Sequence, residues 1–156
     1  KSQTSSIHSD GANGLINSIY FDISTNAPSG AVVSVKSLNS GLQGPGSNKL
    51  PSIGVSLGAD GVTRTDGEDI PANSGVYGYN LPVVSSQLHG VILKNSLCDT
   101  SMKFCGASST PKTGFTTNDL PVDTARVRMD LAAAANYTNS PGTYTDTLTF
   151  FATATF

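Results

Sequence analysis

The C-terminal segment, residues 143–156, alternates between threonine and apolar side chains. The apolar positions that share one parity are Leu148, Phe150, Ala152, Ala154 and Phe156. β-Branched threonine favours strands, and side chains two residues apart lie on the same face of a strand. The segment therefore predicts a long strand with one apolar face, which needs a sheet and a core to receive it.

Composition agrees with an all-β chain and excludes several classes of protein. The 156 residues include 16 Gly and 8 Pro, and only 13% are charged. Gly and Pro at this density favour turns over long helices, so a helical bundle is excluded. The net charge of -2 offers no basic surface to a nucleic acid. No stretch reaches the roughly 18 apolar residues that cross a bilayer, so no membrane span is expected.

Two further segments are predicted to form strands with one buried face. Ala125 to Leu131 places apolar residues at every second position and Arg126, Arg128 and Asp130 between them. Residues 15–38 contain two alternating runs around the turn Asn-Ala-Pro-Ser-Gly, which is typical of a β-hairpin.

The rest of the chain divides into short strands and loops. We expect strands at residues 53–57 and 76–81, and either a strand or a short helix at 88–97. Residues 39–50 and 98–124 are expected to be loops, and 132–135 could form one helical turn before Pro141-Gly142.

These patterns predict one domain with about seven short strands. We expect an antiparallel, immunoglobulin-like β-sandwich over residues 15–156, preceded by a flexible polar arm at 1–14, and a closed barrel is the second choice.

The two cysteines indicate an oxidising compartment. Cys98 and Cys105 are separated by six mostly polar residues, and we expect a disulfide that shapes a surface loop. Free thiols and a metal pair are the alternatives, although zinc prefers four ligands and the chain has only two histidines.

Few residues suggest catalysis, and we predict that the chain is not an enzyme and carries no cofactor or metal. The strained Gly-x-Ser-x-Gly turn of many hydrolases is absent, and His89 is weighed as a general base only for a secreted hydrolase. The acidic cluster Asp66, Glu68 and Asp69 is expected to be a solvated loop, with calcium as the alternative.

Two other sequence features could carry a function in a secreted protein. Asn136 begins a glycosylation triplet, whose use the sequence leaves open. Exposed tyrosines could stack on sugars, although core packing is the ordinary role for such residues. The five candidates are Tyr20, Tyr77, Tyr79, Tyr137 and Tyr144.

Two segments resemble bacterial pilin-like surface subunits, including the spore-coat-U and related fimbrial families. The first, Asn17 to Leu42, has the form strand, Thr-Asn-Ala-x-x-Gly, strand, and the second is the closing Gly-Thr-Tyr-x-Asp of residues 142–146. In such pilins a glycine about fourteen residues from the end and a terminal aromatic residue take part in assembly, and Gly142 and Phe156 resemble that arrangement.

The resemblance implies a subunit that a periplasmic chaperone and an outer-membrane usher assemble on the cell surface. The expected subunit-contact strand contains Gly142, Tyr144, Leu148, Phe150 and Phe156. Residues 1–14 lack the apolar alternation of the donor strand with which those pilins polymerise.

We therefore expect a structural subunit of an extracellular bacterial filament, pilus or surface layer, which associates with copies of itself or with other subunits through strand edges. The alternative is an adhesin or glycan-binding tip domain that presents the 39–50 and 98–124 loops to a host glycan or protein receptor.

Overall fold

The computed structural model describes residues 17–82, 87–89, 92–94, 97–100 and 102–156, which form ten strands and no helix. The expectation for residues 1–14 falls outside this part of the chain. The strands are β1 (Asn17–Thr25), β2 (Ala31–Ser37), β3 (Gly41–Gln43), β4 (Lys49–Pro51), β5 (Val76–Asn80), β6 (Gln87–His89), β7 (Leu93–Lys94), β8 (Lys112–Thr116), β9 (Val122–Ala134) and β10 (Leu148–Ala154).

The first sheet is built around the 13-residue strand β9. β1 pairs along one side of β9, and β5 and β6 pair with successive parts of its other side, all antiparallel. Phe21 lies opposite Val127, and Tyr79 lies opposite Leu131.

The second sheet has the strand order β10, β2, β8, β7 and is also antiparallel. Phe150 lies opposite Val35, and Val33 lies opposite Phe115. β3 and β4 form a separate two-stranded sheet.

One hydrophobic core joins the two four-stranded sheets. Val33, Val35 and Phe115 of the second sheet belong to the same buried cluster as Val127 and Met129 of the first. Ring contacts also join the sheets, because Phe21 lies 6.2 Å from Phe115 and 4.7 Å from Phe150 between ring centroids. The predicted all-β antiparallel class is thus confirmed.

The predicted hairpin at residues 15–38 is wrong. β1 pairs with β9, whereas β2 pairs with β10 and β8, so the turn at 26–30 carries the chain from one sheet to the other. Gly30 makes this passage possible, since its φ of 69° suits glycine and an added Cβ would lie 2.3 Å from the Thr117 hydroxyl. Alternation predicts which face of a strand is buried, but it does not specify the partner strand.

The predicted strand at residues 53–57 is also wrong. Ile53 is buried, but Gly54 has a φ of 72° and the chain turns there, which leaves Leu57 58% exposed. The strands of this region are β3 and β4, which lie inside the connection that we expected to be a loop.

Three other boundaries differ from expectation. β8 lies within the predicted 98–124 loop and contributes the buried Phe115. Residues 132–134 continue β9 instead of forming a helical turn, because small alanines fit between packed layers on both sides of the strand. The last strand is shorter than predicted and begins at Leu148.

Candidate functional site: the free edge of the last strand

β10 is the last strand in the order of the second sheet, and it pairs only with β2 among the described residues. Thr155 donates its N–H to the Gly30 carbonyl (3.0 Å) and accepts the N–H of Ser29 (3.2 Å), and the Thr147 carbonyl accepts the N–H of Leu38 (2.9 Å). The odd-numbered residues therefore direct their main-chain groups towards β2.

Successive residues of a strand direct their N–H and C=O groups to opposite edges. The even-numbered residues of β10 consequently present a row of hydrogen-bonding groups at the free edge. These residues are Leu148, Phe150, Ala152 and Ala154.

The same even-numbered residues point their side chains towards the core, but the core does not cover them. Leu148 and Phe150 are half-buried and pack against the main cluster, whereas Ala152 and Ala154 are exposed although they lie opposite the buried Val33 and Ala31. Within the described part of the chain, the interior is therefore open along this side of β10.

β1 forms the other border of this opening. It is the terminal strand of the first sheet within the described region, and three of its inward residues, Ile19, Phe21 and Ile23, are only half-buried. The short distance between the Phe21 and Phe150 rings places the two edge strands next to each other. We call the opening between β1 and β10 the edge groove.

Asp146 holds the beginning of β10 in place. Its Oδ2 accepts hydrogen bonds from the Tyr77 hydroxyl (2.6 Å) and the Ser37 hydroxyl (2.5 Å), and its Oδ1 accepts from the N–H groups of Thr147 (2.8 Å) and Asn39 (3.2 Å). Burial, and then the hydrogen bond to Asp146, raises the pKa of Tyr77 well above its ordinary value. This network fixes where the free edge starts.

The predicted subunit-contact residues divide into two groups. Leu148 and Phe150 lie in the edge groove, and Phe156, which is 86% exposed, follows the end of β10. Gly142 and Tyr144 instead pack within the chain, against Pro45 and Gly44 respectively, and the Tyr144 hydroxyl donates to the Ser140 carbonyl (2.8 Å). Phe21 was missed as a groove residue, because only the tertiary structure places β1 beside β10.

Cys98 and Cys105 are at disulfide distance, as predicted, with their Cα atoms 5.6 Å apart. Thr100, Met102 and Lys103 between them are exposed, as expected of a surface loop, but both cysteines are fully buried and belong to the main core. The six residues between them are mostly polar, but the ends of the segment pair with β5. Tyr79 and Cys105 exchange two main-chain hydrogen bonds (2.8 and 2.7 Å).

The acidic cluster is engaged within the chain. Asp66 accepts from the Gly106 N–H (2.8 Å) and from Lys112 Nζ (3.0 Å), and Glu68 accepts from the Thr65 hydroxyl (3.0 Å). Across the described ranges, no group of three or more His, Cys, Asp or Glu side chains is placed to hold a metal ion. His89 lies in β6, opposite Asp123 of β9 in the ladder.

Asn136 is nearly buried, with 8% of its surface exposed, and its Nδ2 donates to the Asn73 carbonyl (2.5 Å). Attachment of a glycan at Nδ2 would require this nearly buried amide to become exposed.

The five tyrosines that could stack on a sugar have different surroundings. Tyr77 and Tyr79 are buried and Tyr144 is half-buried, whereas Tyr20 is 52% and Tyr137 is 91% exposed. Only the last two present a ring to solvent.

No protein-family model matches the chain, and comparison with curated proteins and with solved structures finds no similar protein. Among the described residues, no helix is long and apolar enough to cross a membrane.

Proposed function

We propose that this chain is a non-enzymatic structural subunit of an extracellular bacterial filament, pilus or surface layer, and that it associates through the edge groove. The observation that supports this most strongly is that β10 combines main-chain groups with no partner among the described residues and inward-facing side chains that remain uncovered. A strand added there would gain ladder hydrogen bonds and bury apolar surface in one step.

The groove fits an immunoglobulin-like sandwich that lacks a strand. Two four-stranded sheets share a core, and the uncovered part of that core lies where the terminal strands β1 and β10 meet. An added strand beside β10 would cover Ala152 and Ala154 and complete the interior. The donor would be a strand from a neighbouring copy or from another subunit.

The surroundings of the groove suit such an addition. Natural edge strands are commonly protected by lysine, proline or inward-facing charges, and β10, Leu-Thr-Phe-Phe-Ala-Thr-Ala, contains none of these. The cysteine pair at disulfide distance and the absence of a membrane-spanning helix in the described residues are compatible with export. Passage through the periplasm with a chaperone and an usher would protect the groove until assembly.

The alternative, an adhesin that binds through loops 39–50 and 98–124, has less support. Both segments contain strands, β3, β4 and β8, that are paired within the chain.

Replacing Ala152 with proline tests the proposal. The substitution removes a free-edge N–H without removing a hydrogen bond to β2, and proline is tolerated at sheet edges. We expect the wild-type chain to form larger assemblies with rising concentration, measured by sedimentation velocity and electron microscopy, and Ala152→Pro to remain monomeric with a similar melting temperature.

Thr153→Lys is the matched control, because its side chain has the opposite parity and its main-chain groups face β2. This variant should assemble like the wild type. Assembly by Ala152→Pro at the wild-type concentration would contradict the proposal, as would a wild-type chain that stays monomeric while filaments in cells tolerate the proline.

A further inference from the structure

The outer face of β1 and β9 carries an ordered set of polar side chains around an exposed tyrosine. Phe21 and Val127 pair across the two strands and pack into the core, so the residues on either side of them point outwards. On this face Tyr20 lies opposite Arg128, and Asp22 lies opposite Arg126. We call this set the Tyr20 face.

Two bidentate ion pairs give the Tyr20 face its geometry. Arg126 donates from Nε (2.6 Å) and Nη2 (2.8 Å) to Asp22, and Arg128 donates from Nε (2.8 Å) and Nη2 (2.5 Å) to Asp130. Ser18 also donates its hydroxyl to Asp130 (2.6 Å). The guanidinium groups are therefore oriented before any ligand arrives.

The arginine next to Tyr20 also orients the aromatic ring. The guanidinium carbon of Arg126 lies 5.8 Å from the centre of the Tyr20 ring, within the range of a cation–π interaction. Tyr20 remains 52% exposed, and the side chains of Arg126 and Asp22 remain 52% and 57% exposed. The ring and the polar groups are thus fixed together and still accessible.

The strands below support this arrangement. β9 is paired on both sides, with β1 on one and β5 and β6 on the other, and its inward residues Val127 and Met129 are fully buried. Tyr20 and Asp22 lie on the terminal strand β1, whose backbone is held by its pairing with β9, so the binding surface loses little conformational entropy when a ligand binds.

The charge of the Tyr20 face selects the class of ligand. The positive charges of two arginines and the negative charges of two aspartates cancel. The face therefore gives no net electrostatic attraction to a phosphate, a sulfate or a polybasic partner. The exposed Arg126–Asp22 pair instead offers N–H donors and carboxylate acceptors side by side, and the partly exposed Arg128 adds further donors. A hydroxyl group both donates and accepts a hydrogen bond, so neighbouring sugar hydroxyls match this alternation.

We propose that the Tyr20 face binds a neutral saccharide, whose apolar ring face stacks on Tyr20 while its hydroxyls bond to Arg126, Arg128 and Asp22. Aromatic rings provide such a stacking surface at little entropic cost. The site lies on the outer face of β1 and β9, whereas the edge groove uses the inward face of β1 and the free edge of β10, so the two sites share a strand but no side chain.

The test is an array of neutral mannose-, galactose-, fucose- and N-acetylhexosamine-terminated oligosaccharides, printed beside sialylated and sulfated ones. The strongest neutral ligand is then titrated by calorimetry into the wild type, Tyr20→Ala, Tyr20→Phe and Tyr137→Ala. We expect neutral glycans to bind, with affinity falling about tenfold or more in Tyr20→Ala, which is about 1.4 kcal/mol.

The other variants make this result specific. Tyr20→Phe keeps the ring and should retain most of the affinity. Tyr137→Ala removes a tyrosine elsewhere that is more exposed than Tyr20, and this variant should bind within about twofold of the wild type. The melting temperature of each variant checks that it folds, and binding should persist in Ala152→Pro.

Three outcomes would overturn the proposal: no binding to any neutral glycan, binding restricted to sialylated or sulfated glycans, or equal affinities of wild type and Tyr20→Ala. None of these outcomes bears on assembly, which is measured by sedimentation of Ala152→Pro.

Discussion

The sheet edge at β5 is covered by further segments of the chain, whereas the sheet edge at β10 is uncovered among the described residues. Beyond β5, Tyr79 pairs with Cys105 and Phe104 pairs with Glu68, so two further segments continue the first sheet. The Asn80 amide also donates to the carbonyls of Cys98, Thr100 and Lys103. β10 has no comparable cover among the described residues. The uncovered edge at β10 is therefore the edge through which the proposed association would occur.

The largest expected effect is on the stability of variants that shorten a core side chain, because the two sides of the core differ in burial. Phe115, which is 2% exposed, is enclosed by both sheets, whereas Phe150 borders the edge groove. We expect Phe115→Ala to lower the free energy of unfolding by about 3–5 kcal/mol and Phe150→Ala by about half as much. Urea denaturation of the monomeric chains measures both, and equal losses would mean that the groove side is not open in solution.

The next effect concerns the closed edge. Replacing both cysteines, Cys98→Ala with Cys105→Ala, should cost about 2.5 kcal/mol from the chain-entropy term of so short a loop. Met102, 53% exposed in the same segment, provides the control, and Met102→Ala should stay within about 0.5 kcal/mol of wild type. A loss no greater than that of the control would show that the β5 edge does not need the cross-link.

The Asp146 network should contribute less. Tyr77→Phe removes one hydrogen-bond donor from this carboxylate while keeping the ring, and we expect a loss of about 1 kcal/mol. Tyr20→Phe removes an exposed hydroxyl and should leave the free energy of unfolding unchanged. If the two variants are equally stable in urea, the start of β10 is held by other contacts.

High pH provides a second measure of the buried side. Burial raises the pKa of Tyr77 and of Tyr79, so these phenols ionise more easily in the unfolded chain than in the folded one. Their contribution to stability is complete below the unfolded phenol pKa of about 10 and declines above it, by about 1.4 kcal/mol per pH unit for each phenol. Urea denaturation between pH 9 and 12 should show this decline, with a shallower slope in Tyr77→Phe.

The smallest expected effect is a difference in amide hydrogen exchange along β10 in the unmodified chain. Amide protons at the free edge, those of Leu148, Phe150, Ala152 and Ala154, should exchange with solvent faster than those of Thr149, Phe151 and Thr153, which face β2. Hydrogen exchange followed by NMR resolves the two sets residue by residue. Uniform protection along β10 in the monomer would mean that another segment already covers its edge.

The sequence predicted the faces of the long strands well. Leu148 and Phe150 face the core as their parity requires, and so do Val127 and Met129. It failed where a strand is short or where glycine turns the chain, as at Phe115 and Gly54. A five-residue strand with one large apolar side chain has too little periodicity to distinguish it from a loop.

Only one of the two borders of the edge groove, β10, could be predicted from the sequence. The apolar parity of β10 is readable from residues 148–156, and the chain was expected to associate through that strand. The facing border was not readable, because the two strands around the turn at 26–30 could satisfy their patterns equally well as a hairpin or in separate sheets.

The sequence by itself determined that this chain builds antiparallel sheets with one apolar face per long strand, because alternation and threonine content act locally. Tertiary structure decided which strands are neighbours, that Cys98 and Cys105 lie inside the core, and that Phe21 meets Phe150 at an open border. Those results depend on contacts between residues far apart in the chain, where competing pairings bury similar apolar surface and only the complete packing distinguishes them.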